Sequence, residues 1–352
     1  MVWGFARAGR PGWFVLAAGA VLGWGVLVAF RHAWLADWDL HVATLRAMLD
    51  EPTAGGWTPT PYVLGLAMLA RISGAGPETV LAGAGILNVL LLLVALRAFG
   101  RELGARDSVA ALAAVFTVVL WGVSGLGATG FPGLTSLSFS FAFPSTPALA
   151  LMVLTWTVFV RFRESGRGLV GLVLLPPAIL LVHPFAAVAT LLGVVGILVA
   201  RRWEWRRLVL IVPAGVGAIA LALAWPYPDV TGVLADSPEF SEVHAPLVED
   251  PHLRYGLALL GVPALLYGLR RPLGRELLII AALGTGVVGV AAWAGRYEFA
   301  RFVPVVVLTC HLALARHLGE RMTGWRPYAV VTAIGCLAGF VAAMPQVMET
   351  LP

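Results

Sequence analysis

The stretch GLVGLVLLPPAILLVHPFAAVATLLGVVGILVA, residues 168–200, contains no Asp, Glu, Lys or Arg. It is bounded by Arg161, Arg163 and Arg167 on one side and by Arg201, Arg202, Arg206 and Arg207 on the other. As one helix it would be ~50 Å long at 1.5 Å per residue, well beyond a hydrocarbon core of about 30 Å. It would also put two basic clusters on opposite faces of a membrane, against the tendency of arginine to collect on one face. Pro176-Pro177 and His183-Pro184 interrupt it. The stretch is therefore expected to be a hairpin of two spans, with both basic clusters on one side and His183-Pro184 at the far turn.

The rest of the chain has the same character. Of its 352 residues 59% are hydrophobic and 12% charged, and mean hydropathy is +0.88. A water-soluble domain could not hide that much apolar surface, whereas a bilayer solvates it. The fold class expected is all-α: a polytopic transmembrane helical bundle forming a single transmembrane domain, 1–352. Spans are expected at 12–30, 79–99, 108–125, 146–160, 168–182, 184–200, 208–225, 253–269, 277–294, 302–315 and 328–345, about eleven. The first, preceded by Arg7 and Arg10, is long enough to span and is expected to remain uncleaved.

Charge tests this count. All 24 basic residues are arginine, and this topology puts 18 of them on the side of the N-terminus. That is the positive-inside bias of a bacterial inner (plasma) membrane protein, with the N-terminus cytoplasmic and the C-terminus extracytoplasmic. The sequence pI of about 9.8 does not signal nucleic acid, because the arginines form short clusters between apolar runs rather than a continuous stripe. Cys310 and Cys336 lie inside apolar runs and read as buried small hydrophobes. No metal site is expected from them.

Three segments fall on the far side. Residues 31–78 form a long outer loop with two short helices near 40–50 and 61–72, expected to lie parallel to the membrane. Residues 126–144 read as an uncharged loop rich in Gly, Ser and Phe. Residues 226–250 are acidic, with Asp229, Asp236, Glu239, Glu242, Glu249 and Asp250. Long irregular loops on one face are where function is usually carried.

The first candidate cluster is Asp37-Trp38-Asp39-Leu40-His41. Asp37 and His41 share a helix face at i, i+4. A carboxylate here can act as general base toward a hydroxyl, and Asp37 with Asp39 can hold a divalent cation. The plainer alternative is a helix start, with Asp37 as cap and Asp39 favouring the first-turn dipole. The second cluster is Arg296-Tyr297-Glu298-Phe299-Ala300-Arg301. A guanidinium suits phosphate oxygens because its planar fork donates two hydrogen bonds. Arg296 and Arg301 stand on the side that otherwise avoids arginine, and Glu298 and Arg301, three apart, can simply pair. His183 is either a ligand at the hairpin turn or a structural group at a helix break. His311 reads as a packing residue. Ser136, Ser138, Ser140 and Ser145 either hydrogen-bond a sugar or order a loop. No nucleotide-binding loop, zinc helix or nucleophile elbow is present.

The first outer loop resembles the GT-C superfamily of membrane glycosyltransferases, which use polyprenyl-phosphate-linked sugars. The residues that carry the resemblance are Asp37 to His41, Leu45-Arg46-Ala47-Met48-Leu49, Trp57-Thr58-Pro59-Thr60-Pro61-Tyr62 and Leu64 to Gly74. Phe143-Pro144-Ser145-Thr146-Pro147 and Val182-His183-Pro184-Phe185 are similar to a multi-helix branch of the same superfamily. The chain departs at Trp38 and shows no large soluble C-terminal domain. The resemblance implies a GT-C-like bundle with Asp37, Asp39 and His41 as catalytic residues and His183, Arg296, Glu298, Arg301 and Ser145 as substrate-binding residues. It implies a lipid-linked sugar donor, with an envelope glycan or lipid as acceptor. The alternatives are a transporter or lipid flippase, whose polar groups would meet at mid-bundle, and a non-catalytic subunit of a cell-envelope assembly. The sequence does not specify the oligomeric state.

Overall fold

The computed structural model describes residues 12–31, 37–50, 60–103, 106–127, 129–226, 241–271, 273–321 and 326–348. Arg7, Arg10, Trp57, Asp229, Asp236 and Glu239 lie outside them. The described residues form helices and turns, without a strand. The helices are α1 (Trp13–Arg31), α2 (Trp38–Asp50), α3 (Pro61–Ser73), α4 (Pro77–Glu102), α5 (Asp107–Val119), α6 (Leu134–Ser140), α7 (Ser145–Ser165), α8 (Leu169–Val182), α9 (Pro184–Ala200) and α10 (Trp205–Leu223). After an irregular segment come α11 (Gly274–Trp293), α12 (Val303–Arg321) and α13 (Arg326–Met348). Six are long and apolar enough to cross a membrane: α4, α7, α10, α11, α13, and α12 together with the turn before it. The spans expected at 12–30, 108–125, 168–182 and 184–200 are shorter apolar helices.

The hairpin at 168–200 forms as its charges require. Arg163 at the end of α7 and Arg201 at the end of α9 both reach Oε1 of the same carboxylate, Glu276, at 2.8 and 2.9 Å. The chain between them must go out and return, and α8 and α9 pack on each other and on α7. His183 makes the turn. Pro184 supplies no N–H and disfavours helical backbone before it, so His183 is extended (φ −158°, ψ 95°). Its Nδ1 accepts the Ala186 N–H at 3.2 Å and so caps α9.

The paired short helices of the first outer loop are present as α2 and α3. Thr60 caps α3 by accepting the Val63 N–H, Pro61 occupies its first turn, and Gly74 at φ 68° closes it. Trp38 is buried with Val42 and Leu45 against Ala142 and Phe143. The Tyr62 hydroxyl donates to Ala142 O at 2.6 Å, and Asn88 donates to Tyr62 and to Phe141 O. These bonds tie α3 and α4 to the turn that starts α7, and the packing of Trp38 brings α2 to it.

Two expectations are corrected. Residues 126–144 are not simply a loop, because α6 lies within them and all seven of its residues are buried. Its serines can be buried since they bond their own backbone: Ser138 donates to Leu134 O and Ser140 to Ser136 O. The single span expected at 253–269 is instead broken into a helical turn at Pro251–Tyr255, a 3₁₀ segment at Gly256–Gly261 and a short helix at Val262–Gly268. Gly261 lies so close to α12 that a Cβ there would sit 2.4 Å from Cys310 O. The break lets the backbones meet at that point.

Candidate functional site

The site sits at the end of the bundle opposite Glu276, where the α8–α9 turn, the start of α7 and the 3₁₀ segment Tyr297–Phe302 meet. Arg301 leaves that segment just before α12 begins. Its Nε donates to His244 Nε2 at 2.6 Å, and its Nη1 lies 3.2 Å from His183 Nε2. The guanidinium also stands 5.6 Å from the centre of the Phe185 ring. Among the described residues no carboxylate lies within ion-pair distance of Arg301. Arg301, His183 and Ser145 line one small cleft of about 40 Å³, closed by Thr129, Phe131 and Pro304.

His183 lies outside both flanking helices. Burial, followed by the positive charge of Arg301, pushes its imidazole down to about 3, so the ring is neutral at neutral pH. A neutral imidazole has one lone pair, and His183 spends it on the Ala186 N–H. The ring proton is therefore assigned to Nε2, beside the guanidinium. Two donors side by side suit an oxyanion that accepts from both.

Asp37 begins α2, its carbonyl accepting the His41 N–H at 2.9 Å, and its side chain is exposed. It acts electrostatically on both His41 and Arg301. His41 packs on Phe143, ring centres 4.7 Å apart, two residues before Ser145. Burial lowers the His41 pKa while Asp37 opposes the shift. Asp39 is exposed in the first turn of α2. Among the described residues no group of three or more His, Cys, Asp or Glu side chains gathers in metal-binding range. A cation here would have Asp37, Asp39 and solvent, a set that suits magnesium with most of its waters kept.

The structure separates Arg296 from Arg301. Arg296 pairs through Nε with Glu298 Oε1 and leans over Phe299 at 5.5 Å. Glu298 has no exposed surface, and its Oε2 has no hydrogen-bond partner among the described residues. Glu298 is buried and held to Arg296. The pairing with Arg301 does not form, because the 3₁₀ geometry brings Arg296 to the carboxylate instead. Ser136, Ser138 and Ser140 are spent on internal bonds, with Ser138 also accepting from Trp24. Ser145 alone of that series lines the cleft. His311 is buried and bonded to Leu120 O at 2.7 Å.

His244 was not anticipated. It ends a short helical turn, Ser241–His244, that docks on the arginine segment. Ser241 Oγ donates to Gly295 O and accepts the Tyr297 N–H. A lone histidine in an acidic loop gives no periodicity from which to place it.

No family model and no curated protein sequence matches the chain. Solved structures do share its fold. The arabinofuranosyltransferase AftD from Mycobacteria matches with a TM-score of 0.63 at 16% identity, over 98% of this chain and 27% of that one. The oligosaccharyltransferase of Archaeoglobus fulgidus matches with a TM-score of 0.55 at 14% identity, over 95% of this chain and 53% of that one. The chain thus spans about a quarter of the first protein's length and about half of the second's. The chain shares the fold of these two solved structures. The chain is a multi-pass membrane protein built on that fold.

Proposed function

We propose that this protein transfers a sugar from a polyprenyl-phosphate donor to an acceptor hydroxyl on the extracytoplasmic face of the membrane. The observation that carries the reading is Arg301: a cation lodged between two imidazoles, facing a cleft, with Asp37 near enough to act on it electrostatically. The solved neighbours that share the fold are named as glycosyltransferases.

The chemistry follows from charge. As the acceptor oxygen attacks the anomeric carbon, Asp37 takes the hydroxyl proton. The bond from that carbon to the phosphate oxygen breaks, and its electron pair leaves with the lipid phosphate. Single displacement inverts the anomeric centre. Arg301 and the His183 Nε2–H meet the charge that grows on the departing phosphate. Ser145 offers a hydroxyl in the same cleft. Asp39 and His41 flank the base, and Arg296 with Glu298 holds the turn that presents Arg301. The transporter reading needs polar groups gathered at mid-bundle, whereas these gather at one end.

The test is sugar transfer by purified full-length protein given polyprenyl-phosphate-linked sugars and lipid or glycan acceptors. Asp37→Asn is expected to lower transfer at least ~100-fold while binding of polyprenyl phosphate persists. Full transfer by a folded Asp37→Asn protein would remove the proposed base.

A further inference from the structure

Between Thr79 and Arg97 every residue of α4 is apolar or glycine except Asn88. The helix is long and apolar enough to cross a membrane, where an amide side chain is costly unless its hydrogen bonds are made. Asn88 is buried and makes them across two other elements. Its Nδ2 donates to the Tyr62 hydroxyl of α3 at 2.9 Å and to Phe141 O at 3.0 Å. Tyr62 gives its own proton to the next carbonyl, Ala142 O, at 2.6 Å. Both carbonyls stand just past the end of α6, where a helix leaves such groups without intrahelical partners.

Gly85, one turn before Asn88, receives the other half of Phe141. A Cβ at Gly85 would overlap the Phe141 ring. α4 therefore holds Phe141 twice, by its carbonyl through Asn88 and by its ring at Gly85. The proposed chemistry uses neither residue.

The turn held in this way has the proposed base on one side and the phosphate cleft on the other. Trp38 of α2 is buried with Ala142 and Phe143, and His41 packs on the Phe143 ring. Asp37 immediately precedes α2, so the seating of α2 on this turn decides where that carboxylate stands. Two residues after Phe143, Ser145 lines the cleft with Arg301 and His183. Displacement needs Asp37 at the acceptor hydroxyl and Arg301 at the leaving phosphate together, and a misplacement of ~1 Å can cost ~100-fold.

We propose that Asn88 and Gly85 are positioning residues: by seating the 141–145 turn on α4 they set the distance between Asp37 and the Arg301 cleft. The proposal rests on the transferase reading for the reaction, but one arm of its test does not use sugar transfer.

Single-turnover transfer, farnesyl phosphate binding and amide hydrogen exchange are measured on the full chain in nanodiscs. Asn88→Ala is expected to lower transfer ~10- to 100-fold, with farnesyl phosphate affinity changed less than ~3-fold because other elements carry Arg301 and His183. Gly85→Ala should act in the same direction, and Gly83→Ala, whose Cβ meets nothing within 4 Å, should change nothing. Tyr62→Phe, which removes one bond of the set, should lose less, and it takes the place of Asn88→Ala if that protein does not fold. In an Asp37→Asn background Asn88→Ala should cost less than ~2-fold more, since a displaced base and an absent one are the same defect. An equal loss in both backgrounds, an equal loss of farnesyl phosphate binding, or a matching loss in Gly83→Ala overturns the proposal. Exchange in Asn88→Ala should quicken on α2 and stay unchanged at 297–302, and unchanged exchange on α2 also overturns it. If α2 quickens but no preparation, wild type included, transfers sugar, the transferase reading fails alone. If the wild type transfers sugar and Asn88→Ala does so equally, the positioning proposal fails alone.

Discussion

Arg301 and the arginines at the basic end of the bundle are held in opposite ways. At the basic end, arginines are matched to carboxylates. Arg163 and Arg201 share Glu276, Arg161 meets Glu102 at 2.6 Å, and Arg271 and Arg316 share Glu320. At the other end Arg301 donates to His244, with His183 Nε2 3.2 Å away, and no carboxylate among the described residues touches it. A carboxylate fixes a guanidinium and cancels its charge, whereas a neutral imidazole fixes it and leaves the charge in place. The first arrangement clamps helices together, and the second keeps a positive charge ready for an anion. Arg296, five residues before Arg301, is paired with Glu298, so the difference lies in the partner and not in the end of the bundle.

The largest effect expected from breaking this contrast is on activity. Arg301→Gln keeps a hydrogen-bonding side chain but removes the charge, and transfer is expected to fall ~100- to 1000-fold in a single-turnover assay with folded protein. Arg301→Lys keeps the charge but lacks the planar fork, so it should recover only part of the loss.

At the basic end the same kind of change should read out as stability. Arg163→Ala leaves Glu276, which is 1% exposed, with Arg201 alone. A loss of about 3 kcal/mol in unfolding free energy is expected, with transfer per folded molecule unchanged. Unaltered stability together with reduced transfer would invert the comparison.

A smaller effect should follow pH. His183 is held neutral in the fold, with its pKa pushed down to about 3, while the unfolded ring titrates near its ordinary 6.5. Below 6.5 the unfolded chain gains a proton that the folded chain refuses. Stability from this group is therefore complete above 6.5 and declines as pH falls toward 3. At pH 5 the loss is about 1–2 kcal/mol. His183→Asn, which can still cap α9, should flatten that part of the melting-temperature profile. The smallest effect expected is at the exposed Arg46–Glu78 pair. Arg46→Ala should change unfolding free energy by less than about 0.5 kcal/mol in denaturant titration.

What could be read in the sequence was whatever charge and hydropathy encode. The α8–α9 hairpin was legible because basic clusters stand at both ends of an uncharged run. The short helices α2 and α3 were legible because proline and glycine stand at their ends. α6 was not, since Ser136, Ser138 and Ser140 read as loop residues until their hydroxyls are seen bonding backbone. The broken segment at 251–268 was not, because a 3₁₀ turn has the same hydropathy as a helix. His244 was not, because only the packing of the 241–248 segment on Gly295 and Tyr297 carries it to Arg301. The partner of Glu298 was not, because a spacing of three suggested Arg301 and the 3₁₀ segment brings Arg296 to it instead.

The central claim is that Arg301, and not the carboxylate-paired arginines, serves an anionic ligand. Its most direct test is calorimetric titration of farnesyl phosphate into wild-type, Arg301→Gln and Arg271→Gln proteins in nanodiscs. The account predicts that Arg301→Gln abolishes measurable binding while Arg271→Gln binds as the wild type does. Retained binding in Arg301→Gln, with loss in Arg271→Gln, would contradict it.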